Sequence, residues 1–170
     1  MQMKQIEHVF FDLDHTLWDF DKNSNLTFQK VFEINKIQVN ITDFNHLLDG
    51  AFELLDYLQG KYQLHIITNG FQEVQSKKMI NSKIDHYFDK IITSESVGVK
   101  KPNPKVFKYA LEYANADIEK SIMIGDNLEA DVEGALNIGL KAIHCNFNNS
   151  SITNPKISTV TSLLELKQYL

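Results

Sequence analysis

Val9-Phe10-Phe11-Asp12-Leu13-Asp14-His15-Thr16-Leu17 is an apolar run that ends abruptly in two carboxylates spaced two apart. Side chains two apart on an extended strand point the same way, so Asp12 and Asp14 are expected to face one site where the chain leaves a sheet. Such a pair suits a metal-assisted nucleophile beside an acid/base. In isolation the same pattern is also an ordinary solvated turn, and its surroundings decide between the two readings.

Working outward, short apolar runs rich in Val, Ile and Phe recur at His8–Leu13, Leu64–Thr68, Lys90–Thr93, Ser121–Gly125 and Lys141–His144, separated by segments of helical spacing. This alternation predicts a three-layer, Rossmann-like α/β fold: a doubly wound parallel sheet with helices on both faces. Ala51, Leu54, Leu55 and Leu58 form one helical stripe, stopped by Gly60. Leu128, Val132, Ala135 and Leu136 form another, closed by Gly139, and Val106, Ala110, Leu111 and Ala114 follow Pro104 at a helix entrance. A last helix is expected through Leu163, Leu164, Leu166 and Leu170, and Asn146–Asn154 reads as a mobile polar loop.

The 170 residues, 43% of them hydrophobic, suffice for one domain with a substantial core. Residues 1–170 are therefore expected to form a single domain. Against 22 Asp and Glu stand 17 Lys and Arg, a net charge of −5, with no basic block to follow a nucleic-acid polymer or an anionic membrane. Cys145 is alone and so forms no internal disulfide, the N-terminus has no signal-peptide pattern, and no apolar run approaches bilayer length. A cytoplasmic protein is the expectation.

Ligands of open α/β sheets bind at the carboxyl ends of strands, where strand order reverses. Reactive groups fall there three times: Asp12 and Asp14 after the first strand, Thr68 and Asn69 after the second, and Asp126 after the fourth, with Lys101 in the loop before Pro102. Singly, each has an ordinary reading: a turn at Thr68-Asn69-Gly70, a solvated Lys101, a helix cap at Asp126, a charged helix face at Asp131. His15, His65 and His144 lack zinc-site spacing, and a His144–Cys145 pair lacks a third orienting group.

Together the four segments Asp12-Leu13-Asp14-His15-Thr16, Ile66-Ile67-Thr68-Asn69-Gly70, Lys101-Pro102-Asn103-Pro104 and Gly125-Asp126-Asn127-Leu128-Glu129-Ala130-Asp131 resemble the motifs of the haloacid dehalogenase-like hydrolases, in order. The resemblance implies a magnesium-dependent phosphomonoester hydrolase. Asp12 would attack phosphorus to give an aspartyl-phosphate, and Asp14 would protonate the leaving oxygen and later activate water. Asp12, the Asp14 backbone carbonyl and Asp126 would hold Mg2+. Thr68, Asn69 and Lys101 would bind the phosphoryl group, with Asn127 and Asp131 acting behind them near Lys101 or the metal's waters. On a regular helix Asp131 would lie about 140° round the axis from Asp126.

A narrower resemblance, to the noncanonical pyrimidine 5′-nucleotidases, rests on Phe11-Asp12-Leu13-Asp14-His15-Thr16-Leu17-Trp18-Asp19-Phe20, on Ile66-Ile67-Thr68-Asn69-Gly70-Phe71, on Ser94-Glu95-Ser96-Val97-Gly98-Val99-Lys100-Lys101-Pro102 and on the Gly125–Gly134 segment. It implies nucleoside 5′-monophosphates or similar small phosphates as substrates. The sequence departs from that group between the first motif and Gly50. Members carry a multi-helix cap there, whereas residues 19–49 offer one helix, around Asn23–Ile37. This reduced cap would leave Phe28, Val31, Phe32 and Ile34 to collapse onto the sheet edge, to self-associate with another copy, or to stay mobile. Because a cap excludes water and contacts the leaving group, weak and broad activity is expected. Phosphotransfer to an acceptor, and a catalytically impaired scaffold, are the alternatives.

Overall fold

β1 (His8–Phe11) is buried along its whole length, so it needs neighbours on both edges and cover on both faces. In the computed structural model, which describes residues 5–34, 45–148, 154 and 157–170, it has both. The strands β2 (Gln63–Thr68), β3 (Lys90–Thr93), β4 (Ser121–Gly125), β5 (Lys141–Cys145) and β6 (Ser158–Val160) complete a parallel sheet in the order β3-β2-β1-β4-β5-β6. The chain winds outward from β1 to β3, then restarts on the other side of β1 with β4. That reversal opens the crevice between the carboxyl ends of β1 and β4.

Strand alternation divides the core in two. Val9 and Phe11 pack with Leu54, Leu55 and Leu58 of α2 (Ala51–Leu58), with Met79 of α3 (Gln72–Asn81) and with Leu163 and Leu166 of a C-terminal 3₁₀ segment. Phe10 faces the other way, toward Val106, Phe107 and Ala110 of α5 (Pro104–Tyr113), and Val132 and Ala135. The short α4 (Ser94–Val97) follows β3 behind a Thr93 cap.

Four expectations change. β6 has no apolar run, because a three-residue edge strand need bury only Val160. The stripe from Leu128 is a π-helix over Leu128–Glu133 that runs into α6 (Gly134–Leu136), not one α-helix. The last helix is 3₁₀ over Leu163–Gln168. The helix expected around Asn23–Ile37 is α1 (Phe20–Ile34), which starts three residues earlier than Asn23. Its far end at Ile37, the side chains of Phe28, Val31, Phe32 and Ile34, and most of the polar loop after Asn148 lie outside the described residues.

The segment containing α1 leaves and rejoins the core at one point. Asp19 N donates to His46 O (3.0 Å) and Leu48 N to Leu17 O (2.9 Å). Asn23, fully buried, donates to both Asp19 O (2.6 Å) and His46 O (2.9 Å) and accepts from His46 N (3.0 Å). Among the described residues no helix is long and apolar enough to cross a membrane.

Candidate active site

β1 ends at Phe11, so Asp12 and Asp14 sit just beyond the sheet and strand alternation does not align them. Asp12 remains tied to the sheet through its N–H, which donates to Ile124 O of β4 (2.9 Å). Asp14 bridges instead to Trp18, and the two carboxylates take different partners. Asp12, Asp14, Thr68, Asn69, Lys101, Asp126, Asn127 and Asp131 all line one cavity of about 330 Å³ at the crevice.

Lys101 is 5% exposed, and its ammonium has three acceptors: Asp12 Oδ1 (2.6 Å), Ile67 O (2.6 Å) and Asp131 Oδ1 (2.7 Å). Burial alone pulls this amine down, but Asp12 and Asp131 outweigh it and its pKa is raised. An ammonium has three N–H donors, so Lys101 acts on a neighbouring anion through its charge and not through a spare donor. Asn69 clasps the same residue: its Oδ1 accepts from Lys101 N (2.8 Å) and its Nδ2 donates to Lys101 O (3.2 Å). The side chain expected among the phosphoryl donors therefore also braces the Lys101 loop.

Carboxylate oxygens of Asp12, Asp126 and Asp131 lie within 4.8 Å of one another. The π-helix brings Asp131 there. Asn127 O accepts from both Asp131 N (2.9 Å) and Val132 N (3.4 Å), the second an i→i+5 closure, and this widened turn starts directly beyond the end of β4. Gly125 makes room, since a Cβ at that position would collide with the Asp131 carboxylate. Asp131 Oδ2 accepts from Asn127 N (3.1 Å) and Asn127 Oδ1 accepts from Ala130 N (2.8 Å), so Asp131 stands behind Lys101 with both oxygens engaged.

Burial, opposed by Lys101 and reinforced by Asp131 and Asp126, raises the Asp12 pKa to about 8. Burial and Asp131 likewise raise Asp126, against His15 and the Thr16 hydroxyl. Asp12 and Asp131 share the Lys101 ammonium while Asp126 crowds them, and that excess of hard, anionic oxygen fits a divalent magnesium ion. The Asp14 side chain is outside this group, which leaves its backbone carbonyl as its means of joining it.

Asp14 is held by α3. Its Oδ1 is 2.6 Å from Lys78 Nζ, and its Oδ2 accepts from Gln75 Nε2 (3.0 Å). Gln75 Nε2 also donates to Thr68 Oγ1 (2.6 Å), which accepts from Gly70 N as well (3.2 Å). With its oxygen taken by two donors, the Thr68 hydroxyl proton is free to point into the cavity. Gln75, Lys78 and Thr16, whose Oγ1 donates to Asp126 Oδ1 (3.2 Å) and accepts from Asp126 N (3.1 Å), escaped the sequence reading. The available signal was position: Gln75 and Lys78 lie three apart on the helix that leaves the second motif.

No Cys–His pair forms. His144 Nε2 lies 2.9 Å from Asp126 O, and burial and the three site carboxylates push the Cys145 thiol far up. Trp18, Phe10 and Phe11 are fully buried core residues.

A family model described as haloacid dehalogenase-like hydrolase matches residues 38–145. Pyrimidine 5′-nucleotidase YjjG of Escherichia coli is 41% identical over 128 residues, 72% of this chain and 56% of its own. Glyceraldehyde 3-phosphate phosphatase of Pyrococcus abyssi is 44% identical over 82 residues, 48% of this chain and 34% of its own. The chain thus spans about half, or less, of the length of these relatives. Among solved structures, the magnesium-bound hydrolase YfnB from Bacillus subtilis superposes with a TM-score of 0.86 at 24% identity, covering 97% of this chain and 98% of that one, a likeness of fold. The matched span begins after the first motif, and Asp12 of that motif meets Lys101 and Asp126, which lie within the span. By sequence and by sheet order, this chain belongs to the haloacid dehalogenase-like hydrolases.

Proposed function

We propose that the chain is a magnesium-dependent phosphomonoesterase working through an aspartyl-phosphate on Asp12, with small phosphate esters, nucleoside 5′-monophosphates among them, as substrates. The observation that carries this reading is the Asp12 carboxylate, gripped by Lys101 at 2.6 Å and crowded by Asp126 and Asp131 at the sheet's switch point. Asp12, Asp126 and the Asp14 carbonyl would hold Mg2+, which would supply positive charge to the phosphoryl oxygens and to the nucleophile.

The chain's own groups do the rest. Lys101 keeps Asp12 pointed at the incoming phosphorus and, with its charge, favours the carboxylate over the acid. Thr68 donates its free hydroxyl proton to a phosphoryl oxygen. Asp14 gives a proton to the departing oxygen and takes one back from the water that cleaves the acyl phosphate. The leaving group has room beside the site, in a cleft of about 490 Å³ that shares His15, Asp126 and Asn127 with it and is flanked by Phe20 and Phe147. The relatives' names, a nucleotidase and a triose phosphate phosphatase, support a small ester and leave its identity open. Residues 19–49 would be a reduced cap on the single domain 1–170, closed at its base by Asn23.

Phosphate release from nucleoside monophosphates, sugar phosphates and p-nitrophenyl phosphate, with magnesium and with chelator, tests the proposal. Turnover is expected with magnesium only, and Asp12→Asn should abolish it while leaving the fold intact. Turnover persisting in Asp12→Asn would overturn the mechanism. Inactivity of folded wild-type protein toward every ester would favour the scaffold reading.

A further inference from the structure

α3 buries two polar side chains that packing alone does not call for. Gln75 is fully buried and Lys78 is 3% exposed, and both aim at Asp14. Together they occupy both oxygens of its carboxylate. Lys78 is itself confined, its ammonium 4.4 Å from the centre of the Trp18 ring and 5.4 Å from that of Phe20.

Gln75 accepts a penalty for its orientation. Its Oε1 is buried without a hydrogen-bond partner among the described residues, while Nε2 serves both Asp14 and Thr68. Turning the amide over would set that oxygen against the Asp14 carboxylate, so the orphaned oxygen follows from giving Asp14 and Thr68 a donor. Gly70 permits the approach, since a Cβ there would sit 2.5 Å from Gln75 Nε2.

The geometry points to Gln75 and Lys78 as the positioning pair of the acid/base. α3 clamps the Asp14 carboxylate between an ammonium and an amide, and through the same amide turns the Thr68 hydroxyl proton toward the phosphoryl site. This inference rests on the phosphatase reading for the role of Asp14, and on hydrogen bonding alone for the clamp.

Leaving-group chemistry separates positioning from mere stabilisation. An alkyl ester such as uridine 5′-monophosphate needs its leaving oxygen protonated, whereas p-nitrophenolate departs with little help. Lys78→Met keeps the aliphatic stem over Trp18. It is expected to lower kcat on the nucleotide by about 100-fold, the scale of a misplaced reacting group, and on p-nitrophenyl phosphate by less than about tenfold. Gln75→Met should show the same asymmetry, and Lys78→Arg should recover part of the loss. Equal losses on both esters would overturn the positioning role. Crystals of the same variants give a reading that needs no turnover: Asp14 is expected to leave its rotamer, and an Asp14 unmoved in Lys78→Met would refute the clamp. If wild type hydrolyses neither ester, the phosphatase reading fails and the rotamer alone decides the clamp. Should Lys78→Met not fold, Gln75→Met carries both measurements.

Discussion

A lysine whose three N–H donors meet three acceptors has no freedom left to follow a substrate. Lys101, with Asp12, Ile67 O and Asp131 at 2.6, 2.6 and 2.7 Å, is a fixed charge around which the site is arranged. Its placement depends on Asp131, and Asp131 depends on a missing side chain at Gly125. Gly125→Ala should therefore act at a distance. The added methyl displaces Asp131, costs about 1–3 kcal/mol by overpacking, and releases one arm of Lys101. Turnover is expected to fall about 100-fold, as when a catalytic group is shifted by about an ångström. Thermal unfolding and kcat measured together test this, and unchanged kcat at a lowered unfolding temperature would detach Asp131 from the chemistry. Asp12, Asp126 and Lys101 were legible in the sequence because they end apolar runs or precede Pro102. Gln75 and Lys78 were not, since a polar residue inside a polar helix carries no mark of being buried.

At the scale of elements, hydrophobic period separates strand from helix well and one kind of helix from another poorly. Leu128, Val132, Ala135 and Leu136 have α spacing, yet the chain there takes a π-turn, and Asp131 within it pairs with Lys101. β1 to β5 were legible from runs of Val, Ile and Phe, while β6 pairs with β5 alone and is too short to show a pattern. The base of the α1 segment was illegible for another reason: it depends on one side chain. Asn23 closes that base with three hydrogen bonds to Asp19 and His46. Asn23→Ala leaves His46 N and O without that partner and should cost about 1–3 kcal/mol, felt locally. Hydrogen exchange is expected to quicken at residues 19–27 and 46–48 while β1 and β4 keep their protection. Uniform quickening across the sheet would mean that this segment is part of the cooperative core and not an insertion upon it.

Across the molecule, the carboxyl ends of the strands gather charge, and the interior of the sheet carries a separate buried pair that takes no part in the site. His8 Nδ1 and His65 Nε2 are 3.1 Å apart in stacked rings, and His65 packs on Phe10 at 4.7 Å. Burial first, then His8 and Lys90, depress the His65 pKa from 6.5 to about 4. The folded state thus holds His65 neutral where the unfolded chain would protonate it. Above pH 6.5 nothing is lost; as pH falls from there toward 4, the unfolded state binds the extra proton and stability drains away, by up to about 3 kcal/mol. Asp12 and Asp126 have the opposite sign, because carboxyls with raised pKa values take up protons more readily in the folded state and gain stability on acidification. The wild-type curve sums these groups with the others that shift, His8 among them, and subtraction isolates His65 together with its coupling to His8, a pair remote from the carboxylates that adds independently of them. Urea denaturation of wild type and His65→Leu, run at intervals between pH 7 and 4, should give curves offset at neutral pH by the packing change and converging as the pH falls. Curves that stay parallel through that window would show that His65 takes up its proton without opposing the fold.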